Sequence, residues 1–117
     1  MKSYVAILLT TITCQAFAAG LLPETPALIE NGKSLYIKNC STCHGEKGDG
    51  NGPAGKMMKT KPRNFKDAQF VNGDKPENVF KTINDGLPGT AMAAFKNLSD
   101  EEKSSITYYV LKLKSGN

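Results

Sequence analysis

The sequence predicts an all-α domain of three main helices joined by long loops. Three observations carry that expectation. Ile106, Tyr109, Val110 and Leu113 recur at i, i+3, i+4 and i+7, the apolar stripe of an amphipathic helix. Ser99 and Glu102 stand three residues apart just ahead of that stripe, the pairing of a capping box. No run alternates convincingly between apolar and polar residues at period two, so no strand is expected. At 117 residues the chain is sized for one small domain. With no tryptophan, five phenylalanines and four tyrosines, a core made of protein alone is limited.

The first segment reads as a leader. Lys2 gives a short positive region, and Val5-Ala6-Ile7-Leu8-Leu9 opens an apolar run that reaches Ile12. Ala16-Phe17-Ala18 has the small-x-small pattern of a cleavage site. Residues 1–18 are therefore expected to be a cleaved signal peptide, leaving a single domain over 19–117. The apolar run is short for a membrane span. Cys14 goes with the leader, because Thr13 before it disfavours a lipoprotein signal. No further hydrophobic segment follows, so no stable membrane insertion of the mature chain is expected. The formal net charge is +4, or +3 once Lys2 is removed. That mild excess favours acidic partner surfaces and is too small and dispersed for nucleic acid.

After a linker with two prolines, a helix is expected from Ala27 to Asn39. Leu28 and Leu35, with Ile29 and Tyr36 on a neighbouring line, form its stripe. Gly32 lies in that stripe. Glycine inside a helix costs about 1 kcal/mol relative to alanine, and close approach of another helix is a reason to accept it.

Cys40-Ser41-Thr42-Cys43-His44 follows, the C-x-x-C-H signature of c-type haem attachment. Cysteines three apart on one helical turn face the same side. There each can add to a porphyrin vinyl group, and His44 can reach the iron. A C-x-x-C alone also fits a redox dithiol or half of a zinc site. The adjacent histidine, the lack of a second cysteine pair and the absence of any other histidine weigh against both. A large apolar cofactor also gives long loops something to pack on.

Gly45, Gly48, Gly50, Gly52 and Gly55 mark a loop with turn chemistry. It does not close with G-K-[ST] and follows no strand, so it is not a phosphate loop. Residues 59–70 are basic and irregular. A second helix is expected over Lys75–Asn84, capped by Asp74 with Glu77 as box partner and Pro76 in the first turn. Val79, Phe80 and Ile83 form its inner face, and Asp85-Gly86 and Pro88-Gly89 end it. The third helix runs from Ser99 to about Ser115. Between them, a loop carries Met92 and Phe95. Met57, Met58, Met92, lysines and water are the candidates for the iron position left by His44. Met92 is favoured, because the irregular Gly86–Thr90 segment before it can wrap a porphyrin edge.

Cys40–Gly45, Gly48–Gly55, Lys61-Pro62-Arg63-Asn64-Phe65, Ile83–Phe95 and Leu98–Leu113 together resemble the monohaem class I cytochromes c of the bacterial periplasm. The resemblance covers nearly all of the mature chain. It implies one covalent haem c wrapped by a small cytochrome c fold, with His44 and Met92 as the iron ligands. It implies a proline carbonyl supporting His44, from Pro62 in preference to Pro53, and Arg63 beside a haem propionate. It places Gly32 and Tyr36 in a helix crossing, with Tyr109 opposite. The implied role is a periplasmic, monomeric one-electron carrier between redox proteins, not an enzyme. The alternative is a haem enzyme or gas sensor with an open sixth position. One departure stands out: the relatives often carry prolines on both sides of the ligand methionine, where this chain has Ala91 and Ala93. A looser ligand loop is expected, with exchange of Met92 for Lys96, Lys56 or Lys59 at alkaline pH.

Overall fold

The computed structural model describes Met1, residues 20–67 and residues 69–116. Its elements are α1 (Pro26–Asn39), α2 (Ser41–His44), a 3₁₀ turn at Gly55–Met57, α3 (Pro76–Asp85) and α4 (Asp100–Ser115). Among the described residues there is no strand. The three expected helices are present, and a fourth, single-turn helix carries the cysteine motif. The expected signal peptide lies outside the described residues.

Local chemistry sets the helix ends. Thr25 caps α1, its hydroxyl accepting the Leu28 N–H at 3.2 Å. Pro26 is tolerated in the first turn, where its missing N–H has no helical partner to lose. At α4 the capping box is complete. The Ser99 hydroxyl accepts the Glu102 N–H at 3.1 Å, and the Glu102 carboxylate accepts the Ser99 N–H at 2.8 Å. Acidic residues 100–102 sit in the first turn and Lys112 and Lys114 in the last, matching the helix dipole.

The cap expected for α3 is corrected. Lys75, not Asp74, occupies the cap position, with no side-chain cap bond. The Asp74 carboxylate instead lies 3.9 Å from the Lys114 ammonium on α4.

The crossing of α1 over α4 organises the core. Gly32 makes it possible. A Cβ there would lie 2.0 Å from the Ser105 carbonyl oxygen and 2.9 Å from the Tyr109 Cβ. Ser104, Ser105 and Thr107 are fully buried in α4. Ser104 and Thr107 satisfy their hydroxyls on the carbonyls of Asp100 and Lys103, at 2.6 and 2.8 Å. Around the crossing, Tyr36, Phe65, Val79, Ile83, Ile106 and Val110 form the buried cluster. Of the expected inner face of α3, Phe80 is only half-buried. The ammonium of the buried Lys103 lies 5.3 Å from its ring centre.

The segment before α1 straps onto α4. The Gly20 N–H donates to the Asp100 carboxylate at 2.7 Å, and the Leu22 N–H to the Ser104 hydroxyl at 2.9 Å. The Tyr108 hydroxyl donates to the Leu22 carbonyl at 2.6 Å.

Candidate functional site

Helix α1 ends because Cys40 leaves helical geometry, at φ −125° and ψ −33°. Its carbonyl accepts the N–H groups of Cys43 at 3.2 Å and His44 at 2.9 Å, so the motif closes on itself as one turn. A helix this short leaves its carbonyls without intrahelical donors. The glycine-rich loop supplies them. Gly50 donates to His44, Gly52 to Cys43 and Ala54 to Thr42, at 2.8, 3.2 and 3.0 Å. The buried Tyr36 hydroxyl donates to the Gly45 carbonyl at 2.7 Å, which ties the α1–α4 crossing to the motif.

The motif faces a largely apolar cavity of about 310 Å³, within the range of ligand pockets. Cys40, Cys43 and His44 line it, with Pro62, Arg63, Phe65 and Phe70 from the second loop. Val79 and Ile83 of α3, Leu87, Met92 and Phe95 of the following loop, and Ile106 and Val110 of α4 complete the wall. Cys40, Cys43, His44, Pro62, Arg63 and Met92 therefore reach one cavity, and Pro53 does not line it. Met58 lines it too, whereas Met57 is 87 % exposed.

His44 is held by two contacts that its sequence context does not reveal. Its ring stacks on Phe65, with centres 4.8 Å apart. Its Nδ1 lies 3.4 Å from the carbonyl of Arg63. The carbonyl beside Nδ1 is thus that of Arg63, one residue beyond the expected Pro62, whose own carbonyl is turned towards Gly50. Burial pushes the His44 pKa down, against an opposing upward effect of the Arg63 carbonyl. The neutral imidazole this favours is the form that ligates a metal.

The electrostatics bear on the alternatives to haem. Burial, and then the Cys43 thiol, push the Cys40 thiol up to about 12. A redox dithiol needs the opposite shift, towards thiolate. Among the described residues, no three His, Cys, Asp or Glu side chains gather to hold an ion, so the zinc reading lacks its remaining ligands.

The Met92 segment returns against the end of α3. Gly86 adopts φ +69°, and a Cβ there would lie 2.7 Å from the Met92 carbonyl oxygen. The Leu87 N–H donates to that carbonyl at 3.1 Å, and the Phe95 N–H to Ile83 at 3.0 Å. Lys96 lies 3.1 Å from the Asp85 carboxylate, which also pairs with Lys81 at 2.7 Å. Lys96 is therefore anchored at the far end of the loop.

The family model described as Cytochrome c matches residues 29–114. The chain belongs to the cytochrome c family. This cytochrome c is 32 % identical over 93 residues to the Cbb3-type cytochrome c oxidase subunit FixP of Azorhizobium caulinodans, covering 80 % of this chain and 29 % of that protein. It is 31 % identical over 90 residues to the Cbb3-type cytochrome c oxidase subunit CcoP of Azospirillum brasilense, covering 77 % and 30 %. The chain thus spans under a third of the length of these curated relatives. A chain of the Kuenenia stuttgartiensis reducing HAO-like protein complex Kustc0457/Kustc0458 aligns with TM-score 0.66 and 34 % identity, over 73 % of this chain and 41 % of that one. The protein is a monohaem class I c-type cytochrome, an electron-transfer protein with covalently bound haem c. The residues present suit that group: two free thiols and one imidazole on a single turn, facing an apolar cavity.

Proposed function

We propose that this cytochrome c is a one-electron carrier of the periplasm, with His44 and Met92 as the residues that would ligate its haem iron. The observation that carries the reading is that His44 and Met92, far apart in sequence, line the same cavity as the two thiols. When bound, the haem supplies a one-electron iron couple, whose potential is raised by His–Met ligation. The protein's part is to hold and shield it. Cys40 and Cys43 would hold the porphyrin through thioethers. The Arg63 carbonyl beside Nδ1 favours a proton there, leaving Nε2 free as the metal-binding nitrogen. Phe65 fixes the ring plane. The apolar wall would keep water from the group, and the Met92 sulfur would supply the second protein ligand to its iron. Pro62 packs in the cavity wall, and the exposed Arg63 guanidinium would pair with a propionate.

Partner choice follows from charge. Lys56, Lys59, Lys61, Arg63 and Lys66 are all exposed, with no acidic residue among positions 50–66. Lys61 and Arg63 line the cavity, so this basic segment borders the site. It steers an acidic redox partner to the cavity mouth in a transient, salt-sensitive encounter. Relatives that are subunits of cbb3-type oxidases support a membrane-bound redox complex as that partner. The carrier acts as a monomer, is not itself an enzyme, and is exported through the signal peptide of residues 1–18. Among the described residues, no helix is long and apolar enough to cross a membrane.

The test is the visible spectrum and redox titration of the exported protein and its Met92→Ala variant. The reading expects a low-spin spectrum with a sulfur-to-iron band, a one-electron titration, and loss of the band in the variant. A high-spin ferric protein that binds cyanide or carbon monoxide rapidly would instead establish the open-position enzyme or sensor.

A further inference from the structure

We infer that Thr90 is the positioning residue for Met92, its hydroxyl restraining a loop that has no flanking proline. The inference rests on the reading of Met92 as an iron ligand. Ala91 and Ala93 are exposed and leave φ unrestricted on both sides of Met92. Restraint comes from hydrogen bonds instead. The Thr90 hydroxyl donates to the Leu87 carbonyl at 2.7 Å and accepts the Met92 N–H at 3.2 Å. The same Leu87 carbonyl takes the Thr90 N–H at 3.1 Å, which closes a tight turn over residues 87–90. The Leu87 N–H then holds the Met92 carbonyl at 3.1 Å.

Both backbone polar groups of Met92 are thus bound within its own loop, the N–H by a side chain and the carbonyl by backbone. Removing the hydroxyl frees only the N–H. The peptide joining Ala91 to Met92 can then rotate, and the sulfur moves with it. The Gly86 packing and the Phe95–Ile83 bond lie outside the bracket and are left intact. Thr90 therefore governs how long the sulfur stays in place, with little effect on the fold.

The test uses the full exported haem-bound protein as wild type, Thr90→Ala, Thr90→Val, Thr90→Ser and Met92→Ala. The readouts are displacement of the sulfur by added imidazole and the pH at which the sulfur-to-iron band disappears. Loss of one net hydrogen bond corresponds to about five- to tenfold faster displacement. Thr90→Ala and Thr90→Val show that acceleration and lose the band at lower pH. Thr90→Ser keeps wild-type behaviour, and far-UV circular dichroism is unchanged in all. Wild-type displacement in Thr90→Ala, or equal defects in the serine and valine variants, overturns the inference alone. A band that survives Met92→Ala overturns the ligation reading, and this inference with it.

Discussion

Replacing Gly32 with alanine sets two effects of opposite sign against each other. Helix propensity favours alanine by about 1 kcal/mol at an interior position. The crossing with α4 opposes it. The added Cβ would sit 2.0 Å from the Ser105 carbonyl oxygen, 2.6 Å from the Ser105 carbonyl carbon and 2.9 Å from the Tyr109 Cβ. Carbon contacts are comfortable at about 3.5–4.0 Å. The nearest two atoms are backbone, so no side-chain rotation relieves the clash and the helices must separate. Overpacking costs about 1–3 kcal/mol, occasionally more, and a methyl carbon forced against immovable backbone belongs at the top of that range. The net loss is about 2 kcal/mol. At about 4–8 °C per kcal/mol for a domain of this size, the melting midpoint falls by about 8–16 °C. Thermal unfolding of the exported protein, followed by far-UV circular dichroism, measures this directly. A Gly32→Ala variant that melts at or above wild type would mean that propensity dominates, and that α1 and α4 do not meet as closely as described.

Tyr36→Phe leaves the buried Gly45 carbonyl without its 2.7 Å donor. It should destabilise by about 1–3 kcal/mol in urea unfolding, and an unchanged midpoint would contradict the tie between α1 and the motif. Ser99→Ala removes half of the capping box and should cost about 1 kcal/mol, with Ser99→Asp retaining most of it, by the same assay. Acid should weaken the fold through Asp85 and Asp100. Hydrogen bonds from Lys81, Lys96 and Asn84 hold the Asp85 carboxyl below its ordinary value. Those from Lys103 and the Gly20 N–H do the same for Asp100. Their contribution is complete above the unfolded carboxylate value of about 3.9 and is lost as pH falls through the lower folded-state values. Melting midpoints measured against pH should therefore decline on the acid side of that value, with a shallower decline in Asp85→Asn.

What the sequence made legible was local. The C-x-x-C-H turn, the Ser99–Glu102 box and the stripe on α4 each depend on spacings of three or four residues, and each forms as read. Gly32 was legible because a glycine in a helical stripe demands a reason. The cap of α3 misled, because Asp74 and Lys75 are adjacent and both precede a proline. The choice between them falls to the backbone, and Asp74 is drawn to Lys114 forty residues on. The strap of Gly20 and Leu22 onto α4 spans 80 and 82 residues and leaves no local trace. The same holds for the Arg63 carbonyl beside His44 and the stacking of Phe65 on its ring. The family resemblance points to Pro62 for that carbonyl. A one-residue difference in a loop is decided by how the chain packs against Gly50, which periodicity cannot reveal. Thr90 was visible only as part of a segment, since its bracket is a matter of loop geometry.

The central claim is that Cys40 and Cys43 bind one haem covalently beside His44. Its most direct test is the intact mass of the exported protein under denaturing conditions. The account predicts a chain beginning at Ala19 that carries the mass of one haem, and a Cys40→Ala/Cys43→Ala variant at the mass of its amino acids alone. A wild-type polypeptide that sheds all pigment on denaturation and weighs only its own residues would contradict it.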